Sequence, residues 1–131
     1  LVAEGMLVDL RVRSNYCALY ASLLEKRVDP SHVGSTAFKT IAAKVKEFQA
    51  WNDEQLLSLV IVDQDAGWRL KRIHGELQDA ITMVETIAPV LEVDGAVDIA
   101  NQLREHAQTR LRDAGIKLKQ IHSLLSAELP Q

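Results

Sequence analysis

Apolar and small residues recur along the first part of the chain at Ala3, Leu7, Leu10, Ser14, Cys17, Ala21, Leu24 and Val28, in steps of four and three. A helix turns by about 100° per residue, so this spacing keeps one face toward a partner and predicts a helix over about 2–28. Met6 and Tyr20 widen the stripe. Asp29-Pro30 then ends it, and the same pair suits the cap and first position of a following helix. A second helix is predicted over about 35–51, with Phe38, Ile41, Val45 and Phe48 on one face. Asn52-Asp53 is a natural interruption, because both side chains compete for backbone N–H groups.

The run Leu56 to Val62 is apolar on every side. It fits a buried strand or a buried helix, and helix is the expectation because a lone strand has no partner for its backbone. Two layouts follow. In the favoured one the second helix continues to Asp63 and a turn from Asp63 to Gly67 reverses the chain; in the other a single helix runs from Asp53 to Ala88. A third helix, from about Trp68, carries Leu70, Ile73, Leu77, Ile81, Val84 and Leu91, with Pro89 at its end and a turn at Glu92–Gly95. The longest periodic segment runs from Ala96 to Ala127, with Val97, Ala100, Leu103, Ala107, Leu111, Ala114, Leu118, Ile121 and Leu125 in one stripe and Pro130 beyond. Short connections make consecutive helices antiparallel. The expected fold is all-α: a single domain over 1–131, an antiparallel up-down-up-down four-helix bundle, or three long helices plus a short one.

Composition narrows this picture. In 131 residues, 47% are hydrophobic but only 5% aromatic, so the core is aliphatic. Three prolines and six glycines are too few for a turn-rich β-fold. A net charge of −3 gives no global pull toward nucleic acid or anionic lipid. Cys17 is alone, which rules out an intrachain disulfide and a cysteine-based zinc site. No apolar run approaches the ~18 residues of a membrane span, and a cytoplasmic location is expected. The chain opens on Leu1 rather than Met, so a domain trimmed within a larger protein is expected.

Candidate chemistry is sparse. Di-metal sites in helical bundles need Glu-x-x-His pairs, and none occurs; His32, His74, His106 and His122 are scattered. No metal and no cofactor are expected. Phosphate-binding glycine loops are missing as well. Arg69 and His74 form Arg-x-x-x-x-His, followed by Gly75. This spacing resembles the short signature of the HEPN class of all-helical ribonucleases, in which the Arg and His of two protomers act on an RNA phosphodiester. The resemblance covers six residues, and Leu70 stands where the family carries a polar residue. It implies a remote ribonuclease alternative; the plainer reading is an exposed basic helix face.

Two surfaces remain. Arg69, Lys71 and Arg72 are expected level with Arg110, Arg112 and Lys117 across the Glu92–Gly95 turn, forming a basic patch, with Arg11 and Arg13 near it. Without aromatic interleaving beyond Trp68, nucleic acid is an improbable target for it. Trp51 and Trp68 flank the Leu56–Val62 run, and Leu57, Val60 and Ile61 cannot all face inward. The leading expectation is a non-enzymatic interaction module that binds itself or a partner protein through Trp51, Leu57, Val60, Ile61 and Trp68. The second is a sensory or small-ligand bundle, with Ser14 as the main inward polar group.

Overall fold

A computed structural model describes the backbone of residues 2–32, 36–51, 53–93 and 96–128, and their side chains except at positions 2, 3, 58, 62 and 128. The features expected at Ser35, Asn52, Asp94-Gly95 and Pro130, and the side chains of Ala3 and Val62, lie outside the described residues. Among the described residues five α-helices follow one another: α1 (Val2–Leu23), α2 (Ala37–Gln49), α3 (Asp53–Val62), α4 (Gln64–Leu91) and α5 (Val97–Glu128). A single 3-10 turn, Pro30–His32, lies between α1 and α2, and no strand occurs among the described residues.

The core is one aliphatic cluster. Leu10, Ile73, Ile87, Leu111 and Ile121 are almost wholly enclosed, each on the face its spacing selects. Residues 14 and 115, 21 and 108, and 24 and 104 are joined between α1 and α5, so the two helices run in opposite directions. Their crossing is tight: a Cβ on Gly115 would stand 3.1 Å from that of Cys17. Ser14, expected as an inward ligand group, donates instead to the Gly115 carbonyl at 3.0 Å.

Several boundaries differ from the sequence reading, each for a local reason. The first helix stops at Leu23, not Val28. Polar side chains of α5 take over the carbonyls at its end. Gln108 donates to Ala21, and Arg104 donates to Leu24 at 2.6 Å and Glu25 at 3.1 Å. Asn101 then pairs with both the N–H and the carbonyl of Val28, holding it buried outside any helix. Asp29-Pro30 does open a helical segment, but only the 3-10 turn, where Asp29 accepts from the Ser31 N–H.

Neither layout around Leu56–Val62 holds. The second helix does not continue to Asp63, and no single helix spans 53–88; the run is a separate ten-residue helix, α3. The third helix starts at Gln64, before Trp68, so Gly67 lies in its first turn rather than in a reversal. Asp63 makes the break. It is extended (φ −154, ψ 105), and its carboxylate accepts from the N–H groups of Asp65 and Ala66. Pro89 sits in the last turn of α4, which ends two residues later.

Cys17 lies in this core, and burial pushes its thiol up from an ordinary 9.0 to about 12. The unfolded chain ionises above about 9 while the folded chain holds its proton, so this group's contribution to stability is full below pH 9 and is lost as pH rises toward 12. The loss runs at up to about 1.4 kcal/mol per pH unit. In urea titrations the stability difference between the parent and Cys17→Ala should therefore shift in favour of Cys17→Ala across that window. A pH-independent difference would contradict the burial of the thiol.

Candidate functional site

The break at Asp63 leaves α3 lying against α4, and Gly67 makes the close approach possible: a Cβ there would fall 2.6 Å from a methyl carbon of Val60. The short helix turns Leu59 into the core and presents Leu57, Val60 and Ile61 outward, 61%, 43% and 76% exposed. Helical geometry requires at least one of these to face out; all three do. Trp68, one turn into α4, is also exposed, while Trp51 is half-buried beside α2.

Between these elements lies a groove of about 550 Å³. Trp51, Leu56, Val60, Trp68 and Leu70 make its apolar walls, with Gln64, Lys71 and His74 as polar groups along them. Both tryptophans of the chain therefore line one cavity. The Lys71 ammonium stands 5.4 Å from the centroid of the Trp68 ring.

Helix α1 fixes the other wall. Arg13 donates to the carbonyls of Phe48 and Ala50, both at 2.7 Å, and so satisfies the end of α2. Its guanidinium carbon lies 3.6 Å from the Trp51 ring centroid. Burial pushes the Arg13 guanidinium down from its ordinary value, with Asp9 opposing the shift. Gln55 of α3 donates to the Asp9 carboxylate, tying α3 to α1. Gln49 bridges α2 to α4 through the His74 carbonyl at 3.2 Å and Gln78 at 3.0 Å. Arg13, Asp9, Gln55 and Gly67 are thus part of the site, and the sequence reading missed them in that role. The closest signal was the i, i+4 pair Asp9 and Arg13 on the flank of the first stripe.

The six basic residues do not converge on one patch. Arg69, Arg72 and Lys117 line one cavity of about 310 Å³ between α4 and α5, together with Asp65. Two of them are already paired there, Arg69 with Asp65 at 3.0 Å and Lys117 with Glu76. Lys71 belongs to the tryptophan groove, and Arg112 reaches Glu25 at 3.5 Å on the side facing α1. Arg110 is exposed on the same face of α5 as Lys117, two turns earlier. Arg13 is committed elsewhere, as described above.

Arg69 and His74 point to different cavities, Arg69 toward α5 and His74 into the tryptophan groove. Five residues apart on one helix, they are separated by about 140°. No group of three or more His, Cys, Asp or Glu side chains among the described residues is placed to hold a metal ion. No described helix is long and apolar enough to cross a membrane. No known protein family, curated protein or solved structure matches the chain.

Proposed function

We propose that this chain is a protein-interaction module. Helices α1, α2, α4 and α5 form an up-down-up-down frame, and α3 is an inserted docking helix. The observation that carries the reading is the exposure of Leu57, Val60 and Ile61 on one short helix and of Trp68 beside the groove that Val60 and Trp68 line. Solvent exposure of three large aliphatic side chains on one ten-residue helix is costly for a lone domain and is repaid when another protein covers them. The tryptophans suit this role: each offers a large apolar body beside a wet rim. The partner inserts apolar side chains into the groove, and its polar groups meet Lys71, Gln64 and His74 at the edge.

The groove's volume also favours a second reading, the binding of a small apolar molecule, since ligand sites commonly span about 300–1,000 Å³. The two readings separate at Leu57 and Ile61, which lie outside the groove lining and matter only to a macromolecular partner.

The test is photo-cross-linking in cells with a benzophenone side chain at Ile61, compared with the exposed position Lys39 on α2. The protein captured from Ile61 is then purified and titrated into the parent by calorimetry. Ile61→Lys and Leu57→Lys should each raise its Kd by about tenfold or more, the worth of one buried aliphatic side chain. Unchanged affinity in both variants, or no product specific to Ile61, would refute the proposal.

A further inference from the structure

Helix α1 is apolar on two faces. Met6, Leu10, Cys17 and Ala21 are buried in the core. On the opposite side Val8, Val12, Tyr16, Leu19 and Leu23 are all between 41% and 61% exposed. At about 100° per residue these five fall within roughly an 80° arc, centred about 150° from the core-facing row. From Val8 to Leu23 the stripe is about 22 Å long. Tyr16 alone is supported from one flank, by the rings of Tyr20 and Phe48 at 6.3 and 5.6 Å. Scattered exposed hydrophobes need no explanation, but a continuous stripe of this length marks a contact surface.

We propose that this stripe joins two copies of the chain, paired antiparallel about a two-fold axis beside Tyr16. A two-fold interface must be complementary to itself. The steps along the stripe, four, four, three and four, read almost the same in reverse. A two-fold between positions 15 and 16 sets Val8 against Leu23 of the second copy, Val12 against Leu19 of the second copy, and Tyr16 beside its symmetry mate. The flanking charges select the same direction. Parallel pairing would set exposed Glu4 beside Glu4 of the second copy, whereas antiparallel pairing places the two at opposite ends of the stripe. The charged residues of α1 are Glu4 and Asp9 as well as Arg11 and Arg13, not the basic excess that draws an amphipathic helix to an anionic membrane. One helix pair lies at or below the low end of the roughly 1,200–2,000 Å² buried by stable complexes, so a micromolar dimer is expected. This inference does not rest on the tryptophan groove.

The test is sedimentation equilibrium of the full chain from low-micromolar to sub-millimolar concentration. The mass should rise from 14.6 kDa toward twice that value. Leu19→Lys and Val12→Lys should each weaken dimerisation about tenfold or more with circular dichroism unchanged, and Ile61→Lys should leave it intact. Direction is read by disulfide trapping: Val8→Cys mixed with Leu23→Cys should cross-link, and Val8→Cys alone should not, with Cys17 buried out of reach. A parent that stays at 14.6 kDa throughout would overturn the proposal, as would folded stripe variants that dimerise like the parent. So would loss of dimer in Ile61→Lys alone, cross-linking of Val8→Cys to itself, or a monomeric parent that binds anionic phosphatidylserine vesicles through this stripe.

Discussion

Replacing Leu111 with aspartate is expected to leave no cooperatively folded protein at 25 °C. Leu111 is fully enclosed at the middle of α5, the helix that packs against both α1 and α4. The buried polar side chains of the α1–α5 contact, Ser14, Arg104 and Gln108, already donate to backbone carbonyls, so the charge is buried unpaired. The cost is several kcal/mol in addition to the lost packing, against a total stability of about 5–15 kcal/mol for a domain. Leu111→Met keeps the volume and should cost less than about 1.5 kcal/mol. Thermal melts followed by circular dichroism separate the two. A Leu111→Asp melt close to that of the parent would mean that this stripe is not the core.

The second large effect is expected at Arg104, a charged residue only 3% exposed. Its guanidinium holds the Leu24 and Glu25 carbonyls and the Asn101 side chain, with Glu105 3.3 Å away at the surface. Truncation to alanine leaves the end of α1 without those donors and opens a void. Bonds from a charged donor are among the stronger ones, and a loss of about 2–4 kcal/mol is expected. Arg104→Lys should recover only part of it, because one ammonium cannot reproduce the planar fork that reaches three acceptors. The urea midpoint should fall accordingly at constant slope. A midpoint within error of the parent would show that the clasp on α1 is dispensable.

Arg104 also shows where the sequence stops being readable. The periodic positions of α5, such as Ala100, Ala107 and Leu111, fall in the core as their spacing predicts. Asn101, Arg104 and Gln108 lie one step to the side of that row, and pattern alone places them in solvent. They are buried because the end of α1 needs donors, and that need arises only in the folded arrangement. The boundary of α1 is invisible for the same reason: the apolar spacing continues to Val28, but Asn101 holds both backbone groups of Val28 outside the helix.

The surface around α3 was legible in part. Two facts about the seven-residue run Leu56–Val62 between two tryptophans, that it is helical and that it exceeds what a thin domain can cover, follow from composition and the 100° step. The groove was not legible, since it depends on the one-residue break at Asp63 and on how closely Gly67 lets Val60 approach. The six basic residues divide between faces for a related reason. Level along two antiparallel helices does not mean the same face, and Arg112 points toward Glu25 while Lys117 points toward Glu76. The outward stripe of α1 was present in the spacing of Val8, Val12, Tyr16, Leu19 and Leu23, but the stronger core-facing row of the same helix obscured it.

The central claim, that α3 and the tryptophan groove receive a partner protein, is tested most directly by amide hydrogen exchange with and without the protein captured from Ile61. The described amides of α3 lie on a short helix at the surface and should exchange readily in the free chain. Binding should slow exchange across 53–62 and the first turns of α4 around Trp68, with no change in the middle of α5. Protection confined to α5, or none at 53–62 at saturating partner, would contradict the account.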